Sequence, residues 1–520
     1  GLCDAPNYPY MNRRYLTTPI YYATGDPHLG HAYTTVLADT LARYYRQTGA
    51  EVRFLTGTDE HGQKMQETAA KRDMTPIELA DQMAESFEAA WKDLNISFDR
   101  FIRTSEPEHI GVVSTVLERL WAKGQIYDDV YSGWYCVQEE RYWTEREVGA
   151  EHLCPDCKRP VEFVEEKNYF FRMSDYQERL IQHIEDHPEW IVPGTRRNEI
   201  LGFLKQPLQD LSISRPKSRL AWGVTLPFDP DHVCYVWVDA LINYVTASGL
   251  LDPDSGPDQP GFADQGNSWW PASLHIMGKD IITTHAVYWP TLLMAADLPL
   301  PKQILAHGWW IMEDEKMAKS VGNVVDPLAL REDYGTDGVR WYLLRDMPTG
   351  ADASYTPERF HARYDELANV LGNLASRAIS MIVKYRDGII PEAAGDGLEA
   401  DIASTLSAVT GHMDALRVHD AMATSMDLAR TANGYVDRRE PWSQAKDPSG
   451  AEDLDETLAS LARVIAVLTA LFLPVTPQKM TDLAGRLGLK SVPTLDQARS
   501  ISLGGLRVEK GAPLFPRVDR

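Results

Sequence analysis

The chain is poor in cysteine and in long apolar runs. Its 520 residues include five cysteines, an odd number that does not form a disulfide framework, so we expect a reducing, cytoplasmic location. The longest apolar run covers residues 464–473 and stops at Pro474, which is too short to cross a bilayer. These absences argue against a small secreted disulfide-rich domain and against a membrane protein.

Positive charge is also scarce. The chain has 52 lysines and arginines against 75 aspartates and glutamates, a net charge of −23. This balance excludes a uniformly basic nucleic-acid binder, so any contact with nucleic acid needs local basic strips on an acidic body. With 44% hydrophobic and 24% charged residues, the composition is typical of a globular protein, and the length allows two to four domains.

One of two short basic signatures, PHLGH at residues 27–31, lies near the N-terminus. Residues 14–22 are rich in Thr, Ile and Tyr, which predicts a strand, and apolar residues recur at helical spacing from His31 onward. His28 and His31 therefore lie at a strand-to-helix junction, where unpaired helix N–H groups favour an anion. Two ordinary surface or capping histidines are the alternative interpretation.

The second signature, KMAKS at residues 316–320, follows almost three hundred residues later. Its two lysines, Lys316 and Lys319, lie three residues apart in a polar segment. A loop with two ammonium groups can close on a polyphosphate and neutralise charge as it develops. A solvated charged loop is the alternative, but the order of the two signatures favours a shared phosphate site.

These signatures resemble the HIGH and KMSKS motifs of class I aminoacyl-tRNA synthetases. Over residues 14–480 the chain more narrowly resembles the methionyl-tRNA synthetases, through the segments TGTDEHG (56–62), YVWVDALINY (235–244), GKDIITTH (278–285) and LAHGWW (305–310). The resemblance implies activation of L-methionine with ATP to methionyl-adenylate and pyrophosphate, followed by transfer to the 3′ end of tRNA(Met). ATP and Mg²⁺ are the implied cofactors, and tRNA(Met) and L-methionine the implied partners.

Alternating strand and helix patterns predict an α/β fold with a Rossmann-type parallel sheet whose ligands lie at the carboxyl ends of the strands. We expect residues 232–238 to form a strand that ends in the segment Trp237-Val238-Asp239-Ala240, and the chain to be helical from about Phe360 to its end. The resemblance implies that this sheet belongs to a catalytic domain that carries an inserted connective domain and is followed by an all-α anticodon-binding bundle. The expected bounds are 1–125 and 226–310 for the catalytic halves, 126–225 for the insertion, 311–362 for the KMSKS loop and stem-contact connector, and 363–520 for the bundle.

The resemblance also assigns site residues. His28, His31, Lys316 and Lys319 match the catalytic positions. Positions that match the ATP site are His28, Gly30, His31, Gly278, Asp280, His307, Gly308, Trp309 and Lys319. Positions that match the methionine pocket are Ile20, Tyr22, Asp59, Trp237, Ala240, Leu241, Tyr244, Ile281, Thr284 and His285. Asp59 would hold the ammonium group, and Thr284 stands where relatives commonly carry Phe.

Two further sets concern tRNA and metal. The family's anticodon-reading set matches Asn369, Asn373 and Arg377, which are spaced four residues apart, and the distant Trp442. These side chains also suit the task by themselves, because Asn and Arg can hydrogen-bond to base edges and Trp offers a plane for stacking. For zinc, the thiols are Cys136, Cys154 and Cys157, and Glu139 stands where relatives have the fourth cysteine. A Cys₃Glu site and a form without zinc both remain open.

Several alternatives remain. Leucyl, isoleucyl and valyl enzymes share both signatures but need a longer editing insertion than residues 126–225 supply. A cysteinyl enzyme needs a cysteine at the first strand, and the first strand of this chain has none. Small nucleotidylyltransferases share the histidine signature but have no helical anticodon module. A non-catalytic tRNA-binding protein would not need both signatures. The chain ends at Arg520 without the C-terminal domain that dimerises some relatives, so we expect a monomer.

Overall fold

The computed structural model describes residues 12–251, 268–317 and 322–519. Its strands, numbered along the chain, are β1 Arg13–Tyr22, β2 Glu51–Asp59, β3 Arg100–Arg103, β4 Ile126–Cys136, β5 Arg141–Trp143, β6 Glu162–Phe171, β7 Ile191–Val192, β8 Leu211–Ser212, β9 Ser214–Pro216, β10 Thr225–Leu226, β11 Asp229–Cys234, β12 Leu274–Gly278, β13 Ile304–His307, β14 Trp310–Met312, β15 Glu315–Lys316 and β16 Ala353–Ser354.

Its helices are α1 Leu29–Gln47, α2 Gln63–Lys71, α3 Pro76–Asp93, α4 Pro107–Ala122, α5 Glu145–Val148, α6 Gln177–Asp186, α7 Gly194–Phe203, α8 Val236–Thr246, α9 Trp289–Ala295, α10 Pro327–Asp346, α11 Pro357–Glu366, α12 Asn373–Arg386, α13 Glu399–Asp414, α14 Val418–Arg439, α15 Pro441–Gln444, α16 Ala451–Phe472, α17 Pro477–Arg486 and α18 Leu495–Ala498. Helix α10 is interrupted at Gly335, whose φ is 73°. Two π-helical turns, Thr284–Tyr288 and Leu367–Gly372, lead into α9 and α12.

The main sheet confirms the predicted Rossmann-type architecture. Its six strands are parallel, in the order β3-β2-β1-β12-β13-β7. Both faces of the sheet are covered, and a large apolar core lies against each face. The edge strand β7 comes from within residues 126–225, so part of the segment expected as an insertion completes the catalytic sheet.

Local sequence explains the helices that follow the first two strands. Helix α3 begins with a capping box between Thr75 and Glu78 and with Pro76 in its first turn. Helix α1 buries Leu29, Val36 and their neighbours against the sheet, and its N-terminus therefore points to the sheet's carboxyl edge.

The inserted segment is mostly antiparallel. Strands β5, β4, β6 and β8 form one sheet, and β10 and β9 form another with β11, which follows residue 225. The predicted strand through Trp237 is wrong, because the chain leaves β11 at Cys234 and forms α8 from Val236. Nearly all residues of α8 are buried, so their apolar run lacks the one-sided pattern that distinguishes a helix from a strand.

The C-terminal third is a helical bundle around α16, which is buried along most of its length. The expectation of helix to the end is wrong after Ala498, where residues 499–519 run back over the bundle without a helix. Glycine and proline are frequent there, and a backbone bond from Ile390 N to Leu506 O ties the segment down. None of the helices in the described ranges is long and apolar enough to cross a membrane.

Candidate active site

One cleft opens where β1, β2, β12 and β13 end, with α8 as a further wall. It brings both predicted ligand sites together, because it is lined by His28, Gly30, His31, Gly278, Asp280, His307, Gly308, Trp309 and Lys316 from the nucleotide set and by Ile20, Tyr22, Asp59, Trp237, Ala240, Leu241, Tyr244, Ile281 and His285 from the methionine set. His28 and Trp237 thus share one cleft although more than 200 residues separate them in the chain.

The two signature histidines form the N-terminus of α1. The Nδ1 atom of His28 accepts a hydrogen bond from Gly30 N at 3.0 Å, and Nδ1 of His31 accepts one from His28 N at 3.2 Å. Their rings stack with centroids 3.8 Å apart. Both histidines therefore cap the helix and also line the cleft, which places two imidazoles beside a partial positive charge.

Asp280 and Lys316 form an ion pair across the cleft. The Lys316 Nζ to Asp280 Oδ2 distance is 2.7 Å, and Trp309 Nε1 donates to Asp280 Oδ1 at 3.3 Å. Burial acts to raise the pKa of Asp280, but the charge and hydrogen bond of Lys316 outweigh it and lower the pKa to about 2. The lysine signature and the GKD segment are thus joined directly.

His307 lies beneath the nucleotide side of the cleft. Its Nδ1–H donates to Gly308 O at 2.7 Å, so its Nε2 accepts from the Thr34 hydroxyl at 2.7 Å. Burial lowers the pKa of His307 to about 4, so the ring is neutral at pH 7. Gly308 is required by packing, because a Cβ atom there would lie 2.1 Å from Ala351 O.

The apolar side of the cleft is aromatic. Tyr22 packs edge-on against Trp237, with ring centroids 5.9 Å apart. His285 donates from Nδ1 to Ile281 O at 3.1 Å and accepts from the Tyr244 hydroxyl at 2.7 Å, and burial lowers its pKa to about 4. A neutral imidazole between polarizable walls suits an uncharged thioether side chain.

Asp59 ends β2 at the head of this pocket. It is 3% exposed, and burial followed by the charges of Asp239 and Glu140 raises its pKa well above the ordinary value. Nearby, Asp239 lies between two histidines, 2.5 Å from His61 Nδ1 and 2.7 Å from His109 Nε2. This buried pairing joins the loop after Asp59 to α8, which carries Trp237.

Some predicted residues stand apart from the cleft. Thr284 is buried in the π-helical turn and is not among the lining residues, so its place in the pocket wall stays a prediction. Lys319 lies outside the described residues. The sequence reasoning missed the lining residues Pro19, Tyr21, Tyr33, Thr34, Trp310 and Met317, which only the neighbouring motifs could have indicated.

Three thiols form a cluster on the inserted segment. The Sγ atoms of Cys136, Cys154 and Cys157 lie within 4.8 Å of one another, and Cys136 Sγ and Cys157 Sγ are 3.6 Å apart. The carboxylate of Glu139 is not part of this group, and its backbone N–H donates to Cys136 Sγ at 3.4 Å, so Glu139 as fourth ligand stays a prediction.

The predicted base-reading residues lie on the helical bundle. Asn369 and Asn373 are exposed, and Trp442 on α15 is 38% exposed. Arg377 Nη2 pairs with Asp437 Oδ1 of α14 at 2.9 Å. Because α14 leads directly into α15, these side chains lie at one end of the bundle, although Asn369 belongs to a π-helical turn rather than to α12.

Comparisons with known proteins agree with this geometry. Residues 14–162 and 157–379 match the family model described as tRNA synthetases class I (M), and residues 387–506 match the anticodon binding domain of methionyl tRNA ligase. The chain belongs to the methionyl-tRNA synthetases. The family's members are ATP-dependent ligases, and its fold is the one observed here.

Individual relatives are similar along almost the whole chain. Methionine–tRNA ligase of Caldanaerobacter subterraneus subsp. tengcongensis is 43% identical, over 97% of this chain and 79% of the relative. Methionine–tRNA ligase of Bacillus subtilis is also 43% identical, over 98% of this chain and 78% of the relative. The structure of Mycobacterium tuberculosis methionyl-tRNA synthetase in complex with methionyl-adenylate is 41% identical, covers 98% of this chain and 100% of that one, and gives a TM-score of 0.91.

Proposed function

We propose that the cleft activates L-methionine with ATP and then transfers the methionyl group to the 3′ end of tRNA(Met). The observation that carries this proposal is the single cleft in which the signature histidines, the Asp280–Lys316 pair and the aromatic pocket around Trp237 meet. Because the nucleotide-binding residues and the thioether pocket lie side by side, bound methionine would have its carboxylate next to the α-phosphate of bound ATP.

In the first step, the methionine carboxylate attacks the α-phosphorus of ATP in line and pyrophosphate leaves. Such transfer needs positioning and charge stabilisation rather than a protein nucleophile. His28 and His31 stabilise the charge on the α-phosphate, Asp280 and Gly278 hold the ribose, and His307, Gly308 and Trp309 lie against the adenine. Lys316, with Lys319, closes on the pyrophosphate side, where Mg²⁺ would neutralise the phosphates.

The methionine side chain lies among Ile20, Tyr22, Trp237, Ala240, Leu241, Tyr244, Ile281 and His285. The support for this assignment is the neutral state of His285 and the apolar wall that α8 presents. Asp59 at the head of the pocket takes the ammonium group.

The helical bundle reads the anticodon with Asn369, Asn373, Arg377 and Trp442. Their exposure at one end of the bundle supports this role, since flipped bases need accessible edges and a stacking plane. We keep the division into catalytic halves 1–125 and 226–310, insertion 126–225, connector 311–362 and bundle 363–520 as a proposal of functional regions.

The thiol cluster fits a zinc ion. Cys136, Cys154 and Cys157 offer three soft ligands that are close enough for one ion, which would leave a fourth position for another donor. The metal would stabilise the insertion and would take no part in the reaction. Metal analysis of the protein purified without chelator should give close to one zinc per chain, and a content far below one would refute this part.

The reaction is tested by amino-acid-dependent exchange of pyrophosphate into ATP, run separately with each amino acid. We expect exchange with methionine alone, and activity with leucine, isoleucine, valine or cysteine instead would refute the assignment. Lys319→Ala should lower the exchange rate roughly 100-fold or more while methionine affinity stays near that of the wild type. An unchanged kcat would remove that lysine from the step.

A further inference from the structure

A buried carboxylate on α8 holds two imidazoles just outside the cleft. Asp239 accepts a hydrogen bond from His61 Nδ1–H at 2.5 Å and another from His109 Nε2–H at 2.7 Å. Asp239 and His109 are fully buried, and His61 is nearly so. None of the three is among the residues that line the cleft, and the proposed reaction steps use none of them.

The two imidazoles come from different elements. His61 follows two residues after Asp59, which ends β2. His109 belongs to α4, and its Nδ1 lies 2.8 Å from the Thr246 hydroxyl, so it contacts α8 at two positions. The carboxylate of Asp239 therefore joins the end of β2 and the helix α4 to a single point on α8.

Helix α8 has an anchored face and a pocket face. Asp239 and Thr246 are about two helical turns apart and share one side of the helix. At about 100° per residue, that side is opposite the one that lines the cleft with Trp237, Ala240, Leu241 and Tyr244. The later part of α8 has a further anchor, because the Tyr15 hydroxyl donates to Tyr244 O at 2.6 Å. Asp239 anchors the earlier part, which carries Trp237.

The pairing is charge-assisted. Burial acts to raise the pKa of Asp239, but the charge of His61 and the hydrogen bonds of both histidines outweigh it and lower the pKa to about 2. Burial acts to lower the pKa of His61, and the charge of Asp239 outweighs it and raises that pKa. Hydrogen bonds to an ionised partner are shorter and stronger than those between neutral groups, so the link between β2 and α8 is a stiff one.

We propose that Asp239 is a positioning residue for the amino-acid substrate, because through His61 it fixes the spacing between Asp59 and the Trp237 wall of the pocket. This role rests on the proposed function, in which Asp59 takes the ammonium group and Trp237 contacts the side chain. Methionine must reach both ends of that span at once, whereas the residues proposed for ATP include neither. A loosened link should therefore weaken methionine binding and leave ATP binding as it is.

The test is Asp239→Asn, which keeps the size of the side chain and replaces one of the two acceptors with a donor. In pyrophosphate exchange we expect the KM for methionine to rise roughly tenfold or more. The KM for ATP, and kcat at saturating methionine, should stay within about threefold of the wild type, because bound methionine restores the spacing at the expense of its own affinity.

Asp346→Asn is the matched control. Asp346 is also a buried carboxylate with two partners, Arg359 Nε at 3.0 Å and Arg363 Nε at 2.9 Å, and it does not line the cleft. Its substitution should lower the free energy of unfolding in urea and leave both KM values unchanged. A general loss of stability is thereby separated from a change in the pocket.

Two substitutions of His61 test the hydrogen bond itself, and they decide the question if Asp239→Asn does not fold. His61→Asn keeps an N–H group near the place of Nδ1 and should hold the KM for methionine within about threefold, whereas His61→Leu has no donor and should reproduce the rise.

An unchanged KM for methionine in Asp239→Asn, a parallel rise of the KM for ATP, or equal effects of the two His61 substitutions would overturn the proposal. Exchange by the wild-type enzyme with methionine alone decides the proposed function. Failure of the Asp239 result on an active enzyme is therefore distinct from failure of that function.

Discussion

His285 and His307 show what burial does to single residues in the cleft. Both are enclosed, and burial lowers each pKa from 6.5 to about 4. Between these two pH values the unfolded chain binds a proton at each site that the folded chain does not. The free energy of unfolding therefore falls as the pH is lowered through that window, by about 1.4 kcal/mol per pH unit for each group.

The His285 ring should titrate near pH 4, far below an ordinary histidine, and should carry its proton on Nδ1 at pH 7. Nitrogen-15 NMR of the imidazole checks both statements, and the spectrum of His285→Gln assigns the signal. A midpoint near 6.5, or a proton on Nε2, would contradict the burial and the Tyr244 contact described here.

Asp280 is a second residue whose charge can be tested alone. Asp280→Asn removes the partner of Lys316 and weakens the contact proposed for the ribose, so we expect the KM for ATP in the exchange reaction to rise roughly tenfold. The KM for methionine should stay within about twofold. The control is Asp297→Asn, a surface acid paired with Lys123. An unchanged KM for ATP would contradict the nucleotide assignment.

At the scale of the elements, one buried cation holds α1 in place, and it contacts the helix well after the signature histidines at its N-terminus. Arg340 of α10 pairs with Asp39 of α1 at 2.7 Å, and both side chains are fully buried. The same guanidinium donates to Pro474 O and Val475 O after α16, at 2.9 and 2.8 Å. Burial acts to raise the pKa of Asp39, but Arg340 and its other partners lower it below the ordinary value.

Arg340→Met should therefore lower the free energy of unfolding by about 3–5 kcal/mol, because it leaves Asp39 buried with one cation fewer and removes the donor from three carbonyls, those of Leu94, Pro474 and Val475. Urea unfolding at pH 7 measures this. The matched variant Arg430→Met, whose guanidinium is 43% exposed beside Glu366, should cost about 1 kcal/mol or less. Similar losses for the two variants would contradict the structural argument.

Sequence patterns predicted elements well where one face is polar and poorly where burial is complete. Helix α3 carries its caps and its apolar face in its own residues, so its start at Pro76 is readable. Helix α8 is buried on nearly every side, so the exposed polar face that marks a surface helix is missing, and Trp237 was therefore placed on a strand. Glu139 and Thr284 stay predictions, since a matching position in the chain does not define where a side chain points.

At the scale of the whole molecule, the cleft and the residues proposed to read the anticodon occupy separate parts. None of Asn369, Asn373, Arg377 and Trp442 lines the cleft. The core around α10 and α16 is continuous between the sheet and the bundle, so the two ends belong to one packed body. Recognition of tRNA and activation of the amino acid should therefore be separable by substitution.

Arg377→Ala should lower kcat/KM for tRNA in aminoacylation by roughly 10- to 100-fold and leave pyrophosphate exchange unchanged. Lys384→Ala, an exposed cation on the same helix α12, is the control and should have little effect on either reaction. A parallel loss of exchange activity would show that the arginine acts on the bundle's stability instead of on the base.

The sequence by itself determined the alternation of strands and helices, the two basic signatures and their order, because these depend on local composition and on neighbouring residues. Only the tertiary structure decided that Cys136, Cys154 and Cys157 come together and that His28 and Trp237 share one cleft. Each of these depends on contacts between segments far apart in the chain, and a side chain's direction is set by what packs against it rather than by its position in a motif.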